Sequence, residues 1–469
     1  MIMEPSTHKF AKMLPYPFRL LNLMKPGDEL RNLVLESFKK NRGFKKKLID
    51  TLLDHIHNNY EKYNEIVVNM GDYAPDGYYD KWAIYFLTKV QVPIKICGSY
   101  IEVFQSKITD LLKSLKKESS ISFIFPSLDF HQISVPEKMI ESYPKVNNKK
   151  RVSMVLSQGC PRRCKMCPVG VIYKRKYKYH DILQSIEKIK YYYNLGVRYI
   201  SFIDDNISAN LDSFIIFLRM LKKLNLKGLK FLCQEGFEVL AFLNEEFCQL
   251  IKETHWEEPR IGIENISQDF LETIGKYYTE PEIRWKVMEN IEKYDIKACI
   301  FLLFAPFQSE KEIIGNIRFF SDFNVKVRVN ILRNYEGTEI RRNLKTLTSI
   351  KRLKELKSMA YAASWWKQTF NVNIFRKGAL KQYLKMNPHE IKITGGRMRI
   401  IGGKQDFWRN TYRWTKGLAK ILEEDYGRVL ITYDDENRNI RKVDIHLDGR
   451  WSHQLKITDF FEGGDKWAK

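Results

Sequence analysis

The sequence has no run of apolar residues long enough to cross a membrane. A spanning helix needs roughly 18 or more such residues in succession, whereas the apolar run at residues 298–304 has only the length of a β-strand. The first residues, MIMEPSTHKFAKM, also lack the charged and apolar blocks of a secretory signal. We therefore expect a cytoplasmic protein without a transmembrane segment.

Cysteine is scarce and unevenly placed. Seven cysteines in 469 residues, without a secretory signal, argue against a disulfide framework and favour a reducing compartment. Three of them cluster between residues 160 and 167. Of the four that lie singly, Cys233 and Cys299 fall within apolar strand patterns, where small buried core residues are expected.

Negative charge is in deficit, since 79 Lys and Arg face 56 Asp and Glu, giving a formal net charge of +23. Clustered basic residues attract nucleic acids and anionic membranes. Here the lysines are spread along the chain, and the denser runs at 38–48 and 173–180 are typical of solvated faces. A non-catalytic nucleic-acid-binding protein is thus the alternative from another functional class, disfavoured by this spread.

Strand and helix patterns alternate over most of the chain and predict an α/β protein. Residues 1–148 have the order of a small Rossmann-like domain, with strands at 65–69, 93–97 and 120–125. Six strand-then-helix units follow, in a domain predicted to span residues 149–340. Six parallel strands can form an open sheet or a partial barrel, and both place functional groups at the carboxyl ends of the strands. The six predicted strands are 152–157, 199–204, 229–233, 260–264, 297–304 and 325–332.

The alternation stops after residue 340, and residues 341–469 are expected to form an α+β extension. A helix is predicted at 346–369, and strands at 428–433 and 441–447 are predicted to form a hairpin. Aromatic residues in this part could cover a substrate, although interdomain packing is the simpler explanation for them.

The clustered cysteines occur in SQGCPRRCKMCP, directly after an apolar strand. Cys160, Cys164 and Cys167 have the spacing C-x3-C-x2-C, which brings three thiols within reach of one metal centre. A structural zinc site takes four ligands, and no second pair of Cys or His follows. Three thiolates instead suit an iron–sulfur cubane with one open iron atom, where a substrate can bind.

This motif resembles the cluster loop of the radical S-adenosylmethionine (SAM) superfamily. The resemblance implies a partial (βα)6 barrel, with a 4Fe-4S cluster held by Cys160, Cys164 and Cys167. It also implies that the open iron binds SAM and that the reduced cluster cleaves SAM to a 5′-deoxyadenosyl radical. Met166 corresponds to the position whose backbone contacts the adenine.

The segment YISFIDDN at 199–206 resembles the second barrel strand of the superfamily branch that often carries an N-terminal cobalamin-binding domain. By this resemblance Asp204 and Asp205 face the amino group of SAM. The alternative is that these acids cap the helix that follows.

Further cofactor contacts are expected from three other strand ends. RIGIENISQDFLETIGK at 260–276 resembles the fourth strand of that branch, where Glu264 meets a ribose hydroxyl or the SAM amine. An acid buried in a strand would be costly without such a partner. Gln234, after the third strand, and Asn330, in the sixth, are the remaining candidates.

The same branch raises the question of cobalamin. The usual motif for the axial histidine, Asp-x-His-x-x-Gly, is absent, and DHIHNNY at 54–60 has a different spacing. The hypotheses are therefore a cobalamin-dependent radical methyltransferase and a cobalamin-independent enzyme of rearrangement, cyclisation or bond formation. Either would act on a small-molecule or peptide substrate and take electrons from a donor such as a flavodoxin or ferredoxin.

Overall fold

The computed structural model describes most of the centre of the chain and short pieces elsewhere. The continuous parts are residues 87–97, 108–123, 148–233, 235–276, 280–333, 337–340, 344–371 and 373–375, with residue 335. The remaining pieces are 2–3, 30–31, 53–54, 57–58, 61, 67–69, 140, 390–394, 397–401, 431–432 and 442–446.

The N-terminal strands form a five-stranded parallel sheet in the order β2-β1-β3-β4-β5. Strands β3 to β5 lie within the three predicted strands, and all neighbours are parallel as expected for an α/β sheet. The side chains of Ile94, Ile96 and Ile121 are at most 3% exposed. The strands are β1 (Ile2–Met3), β2 (Leu30–Arg31), β3 (Val67–Asn69), β4 (Ile94–Cys97) and β5 (Ile121–Phe123).

The chain divides into two compact units. The first combines Met1–Glu257 with the short segments Ile274–Lys276 and Arg333–Ile340, and the second contains Glu258–Thr273, Tyr277–Leu332 and Arg341–Lys469. Each unit contains a three-stranded parallel sheet from the centre of the chain.

The central sheet of the first unit has the order β10-β9-β6. Val152, Ile200 and Phe231 lie side by side across it and are buried. A two-stranded antiparallel hairpin of β7 and β8 follows β6 and carries the next loop. The strands are β6 (Lys150–Met154), β7 (Ser157–Gln158), β8 (Lys178–Tyr179), β9 (Val197–Phe202) and β10 (Lys230–Cys233).

Helices cover this sheet through an aromatic core. The Phe202 ring lies 5.9 Å from Phe217 and 5.4 Å from Trp256, and the Phe214 ring lies 5.6 Å from Trp256. Buried aromatic pairs of this kind add to the free energy gained from their large apolar area. The helices are α1 (Val169–Ile172), α2 (Ile182–Asn194), α3 (Leu211–Leu224) and α4 (Glu245–Glu253), with a 3-10 helix at Val239–Leu243.

The central sheet of the second unit has the order β11-β12-β13. Its strands are β11 (Arg260–Glu264), β12 (Cys299–Phe304) and β13 (Lys326–Ile331), and its helices are α5 (Gln268–Thr273), α6 (Pro281–Lys293), α7 (Glu310–Ser321) and α8 (Ile350–Phe370). Helix α8 packs on β13, where the Ser364 hydroxyl accepts from the Val327 amide and donates to the Val325 carbonyl, both at 3.0 Å. All six strands predicted for the centre of the chain are therefore present, with ends that differ by a few residues.

Short polar side chains fix where the helices begin. Asp181, Asn210, Asn244 and Ser349 each accept a hydrogen bond from a backbone amide in the first turn of α2, α3, α4 and α8. Helix α7 has a capping box, in which Ser309 and Glu312 satisfy each other's backbone amides. Because Asn210 caps α3, the alternative that Asp204 and Asp205 cap this helix is wrong.

The C-terminal strands form an antiparallel sheet in the order β14-β15-β17-β16. Their bounds are β14 (Glu390–Thr394), β15 (Arg397–Ile401), β16 (Ile431–Thr432) and β17 (Lys442–His446). The pairing of β16 with β17 confirms the predicted hairpin. None of the helices among the described residues combines the length and the apolar character needed to cross a bilayer.

Candidate functional site

The three clustered cysteines lie in one loop of the first unit, between β7 and α1. Cys160, Cys164 and Cys167 are half-buried free thiols. Burial raises the pKa of the Cys160 and Cys167 thiols, and the nearby charge of Cys164 raises the pKa of both further. The thiols therefore lie close enough to interact electrostatically, in a loop that is only partly open to solvent.

Glycines make the tight path of this loop feasible. Gly159 has a φ of +76°, and a Cβ atom there would collide with the carbonyl oxygen of Lys176. Gly275 has a φ of +74°, and a Cβ atom there would lie 2.9 Å from the backbone nitrogen of Lys165. Both conformations favour glycine, and both close approaches require it.

Two distant segments hold the middle of the loop through its backbone. The Lys165 amide donates to the Ile274 carbonyl at 2.8 Å, and the Lys165 carbonyl accepts from the Glu339 amide at 2.9 Å. The side chains of Arg175 and Glu339 form an ion pair as well. Lys165, the residue before Met166, is thus hydrogen-bonded through both its amide and its carbonyl group. Met166 itself is half-buried in the loop.

Asp204 contacts the start of the cysteine loop. Its carboxylate accepts from the Leu156 amide at 3.1 Å, from the Ser157 amide and from the Ser157 hydroxyl at 2.8 Å. The side chain is 1% exposed. Burial raises the pKa of Asp204 to about 7, although the hydrogen bonds from Leu156 and Ser157 oppose this shift. This carboxylate therefore positions the loop, and its contact with SAM stays a prediction.

The next two residues continue along the same loop. Asp205 Oδ2 accepts from the Gly159 amide at 3.2 Å. Asn206 Nδ2 lies 3.7 Å from the sulfur of Cys160 and 2.9 Å from Glu238 Oε2. Three successive side chains after β9 thus meet successive parts of the chain from Leu156 to Cys160.

Glu238 and Arg162 complete this arrangement, and the sequence interpretation had missed both. Arg162, inside the cysteine motif, forms an ion pair with Glu238 through its Nε atom at 2.9 Å. The Glu238 amide donates to the Ser208 hydroxyl at 2.8 Å, and the residue is 6% exposed. An acid four residues after Gln234, near a predicted strand end, was the only signal available.

Two acceptor atoms beside Cys160 are buried and unused. Asn206 Oδ1 and Glu238 Oε1 receive no hydrogen bond from the part of the chain that the structure describes. A buried acceptor without a partner is costly. A ligand that brings N–H donors could satisfy these atoms.

Two tyrosines of the β7–β8 hairpin lie near Asp204. Burial raises the pKa of Tyr177 to about 12, and the charge of Asp204 adds to the shift. Burial also raises the pKa of Tyr179, again with a contribution from Asp204. Both hydroxyls therefore stay protonated at neutral pH.

Of the other predicted contacts, Glu264 and Asn330 belong to the second unit. Glu264 ends β11 after a register shift, is 9% exposed, and has a φ of +67°, which is unusual for a residue with a side chain. Asn330 is exposed on β13. Gln234 lies outside the described residues. The structure thus brings together the cysteines, Met166, Asp204 and Asp205.

Two buried side chains of the second unit form hydrogen bonds with the loop after Glu264. Asn316 accepts from the Ile266 amide at 2.8 Å and donates to Asn265 Oδ1 at 2.9 Å. Arg284 donates to the Ile266 carbonyl at 2.8 Å, and burial lowers the pKa of this arginine. Cys233 and Cys299 are each 2% exposed, as predicted for core residues.

Residues 154–320 match the family model of the radical SAM superfamily. This segment of the chain is therefore similar to the radical SAM superfamily. An uncharacterised methyltransferase of Pyrococcus horikoshii is 25% identical over 40% of this chain and 40% of its own length. A bacteriochlorophyllide d C-12(1)-methyltransferase of Chlorobaculum tepidum is 22% identical over 51% of this chain and 50% of its own. The chain thus matches half or less of the length of these curated relatives.

Solved radical SAM structures share the fold. The methyltransferase TsrM of Kitasatospora setae, solved with cobalamin and a [4Fe-4S] cluster, covers 72% of this chain and 73% of its own, with a TM-score of 0.51 and 12% identity. The cobalamin-dependent radical enzyme OxsB, solved with aqua-cobalamin, covers 89% and 71%, with a TM-score of 0.53 and 13% identity. At these identities the similarity concerns the fold alone.

Similarity to the radical SAM superfamily implies a 4Fe-4S cluster and SAM, and the residues present fit both groups. Soft thiolates are the ligands that iron–sulfur clusters take, and the loop supplies three. No three His, Cys, Asp or Glu side chains among the described residues converge on one ion. A cubane differs from a single ion, because each thiolate binds a different iron atom. The unused acceptors of Asn206 and Glu238 suit the ammonium group of SAM, which brings N–H donors.

Proposed function

We propose that this chain is a radical SAM enzyme that methylates a small-molecule or peptide substrate. The observation that best supports this proposal is the half-buried loop of Cys160, Cys164 and Cys167. The nearby acceptor atoms Asn206 Oδ1 and Glu238 Oε1 receive no hydrogen bond from the described residues. The curated relatives with matching sequence are named as methyltransferases, which supports methyl transfer. A reducing protein such as a flavodoxin or ferredoxin would supply electrons, which agrees with the predicted cytoplasmic location.

Cys160, Cys164 and Cys167 would hold the cluster, and the residues around them would orient SAM. A reduced cluster held there would supply the electron for cleavage of SAM to methionine and a 5′-deoxyadenosyl radical. Asn206 Oδ1 and Glu238 Oε1 would accept from the SAM ammonium group, and the Met166 backbone would contact the adenine. Asp205, Gln234, Glu264 and Asn330 remain proposed contacts, and Asp204 would act by holding the loop.

The arrangement of domains is part of the proposal. Residues 149–340 would form a partial (βα)6 barrel, residues 1–148 a cobalamin-type domain, and residues 341–469 a C-terminal α+β extension. The two three-stranded parallel sheets and the family match over residues 154–320 support the barrel. The five-stranded parallel sheet at the N-terminus supports the first domain.

Cobalamin is the proposed methyl carrier. The structures named above as similar in fold carry cobalamin, and a parallel α/β sheet of the type found here is a suitable scaffold. The sequence lacks the Asp-x-His-x-x-Gly motif, so we propose binding without a histidine ligand from that motif. When bound, cobalamin would supply the chemistry of methyl transfer from SAM to the substrate.

The cluster proposal is tested on anaerobically reconstituted protein. We expect about four irons and four sulfides per chain, and release of 5′-deoxyadenosine after dithionite reduction with SAM. Cys164→Ala should lose both the iron–sulfur content and the release of 5′-deoxyadenosine. Cys248→Ala, which removes a buried thiol from α4, should keep both. A wild-type protein without iron, or one that binds RNA with strong salt dependence and never cleaves SAM, would favour the nucleic-acid-binding alternative.

The carrier proposal is tested by adding hydroxocobalamin to the same protein. We expect a bound corrinoid after gel filtration and S-adenosylhomocysteine among the products. Cleavage of SAM to 5′-deoxyadenosine without either result would replace methyl transfer by cobalamin-independent radical chemistry.

A further inference from the structure

The side chain of Asn206 lies against the sulfur of one proposed cluster ligand. Its Nδ2 atom is 3.7 Å from Cys160 Sγ, which is within hydrogen-bonding range for sulfur. Asn206 is 8% exposed, so little water competes for this contact. An amide N–H donated to a thiolate stabilises negative charge on the sulfur.

Glu238 determines which atom of the Asn206 amide faces the sulfur. A carboxylate only accepts hydrogen bonds, and its Oε2 atom lies 2.9 Å from Asn206 Nδ2. The two N–H bonds of one amide nitrogen can serve Glu238 and Cys160 together. Arg162 and the Ser208 hydroxyl hold Glu238 in place, so the amide cannot turn its oxygen toward Cys160 without losing this contact.

We infer that Asn206 is a positioning residue that donates an N–H···S hydrogen bond to Cys160 and so raises the reduction potential of the cluster. Glu238 acts through Asn206 by orienting the amide. Reduction adds negative charge to the cluster and its sulfurs, and hydrogen bonds to the sulfurs stabilise that charge. This inference rests on the proposed function, since it requires a cluster on Cys160.

The test is a redox titration of the reconstituted protein without SAM, followed by the EPR signal of the reduced cluster. In Asn206→Leu, the ratio of reduced to oxidised cluster at the wild-type midpoint should fall about tenfold, because a hydrogen bond to a charged group contributes about 1.5 kcal/mol. That ratio corresponds to a shift of about 59 mV for one electron. Asn206→Asp, which places a carboxylate near the sulfur, should shift the potential further in the same direction.

Two other variants separate this role from a structural one. Gln249→Leu removes an amide that also donates to a carboxylate, that of Glu253 at 3.0 Å, but on the exposed surface of α4. We expect its potential to equal that of the wild type. Glu238→Gln removes the charge that orients Asn206, and its potential should lie between those of the wild type and Asn206→Leu.

Wild-type potentials in both Asn206 variants, with full iron content, would overturn the inference and leave the proposed function standing. If Asn206→Leu fails to bind iron, Glu238→Gln decides: an unchanged potential there also overturns the inference. Failure of the wild type to bind a cluster would instead overturn the proposed function.

Discussion

Two strand ends carry an acid, and the two acids have different surroundings. Asp204 follows β9 and is committed to the Leu156 and Ser157 amides of the neighbouring loop. Glu264 ends β11 in the left-handed region, and other side chains, Asn316 and Arg284, hold the loop after it. The Asp204 carboxylate therefore holds the loop beside it, whereas the loop after Glu264 is held by other side chains.

The largest expected effect is that of removing the acid that builds the loop. Asp204→Ala leaves two buried backbone amides without an acceptor, which should lower the free energy of unfolding by about 3 kcal/mol. It should also reduce iron retention after gel filtration. The same substitution at Glu264 should lower SAM affinity with iron content unchanged, and equal iron loss in both variants would remove the distinction.

The burial of Asp204 should also make the stability of the protein depend on pH. Burial raises the folded-state pKa of Asp204 from 3.8 to about 7. Its stabilising contribution is then fully present below pH 3.8 and is lost as the pH rises to about 7. Thermal melting of the apo-protein at several pH values measures this loss. Asp204→Asn should flatten the profile, and an unchanged profile would contradict the burial argument.

The loop after Glu264 should depend on Asn316 to a similar extent. Asn316→Leu removes the hydrogen bonds of this side chain with Ile266 and Asn265. Because Asn265 and Asn316 are both fully buried, this loss should lower the free energy of unfolding by about 2 kcal/mol. Urea denaturation measures the cost. SAM affinity should fall while iron content stays at the wild-type level, and loss of iron would mean that the two loops are not independent.

The smallest expected effect is a gain in stability at Glu264 itself. Its φ of +67° costs a residue with a side chain about 1 kcal/mol relative to glycine. Glu264→Gly should therefore raise the melting temperature and weaken SAM binding. In contrast, Glu289→Gly on the exposed face of α6 should lower the melting temperature. A melting temperature below that of the wild type in Glu264→Gly would show that the carboxylate contributes more to folding than the backbone conformation costs.

Local patterns account for what the sequence predicted well. The strands β6, β9, β10, β11, β12 and β13 are short apolar runs separated by amphipathic helices, which fix their type and order. The cysteine spacing is a property of one continuous loop, so it too could be found from the sequence.

Contacts between distant residues account for what was missed. Arg162 and Glu238 are 76 positions apart, and Asn265 and Asn316 are 51 apart. The local sequence pattern around each of these four residues gives no indication of its partner. Asp204 was found by resemblance, but its contact with the loop depends on the pairing of β6 with β9, which periodicity alone does not give.

The most direct test of the central claim is the EPR spectrum of the dithionite-reduced protein before and after addition of SAM. If Cys160, Cys164 and Cys167 hold a cluster with one open iron, the reduced protein should show a 4Fe-4S signal whose line shape changes when SAM binds. Cys164→Ala should show no such signal. A cluster signal that SAM leaves unchanged, or a wild type without one, would contradict the account.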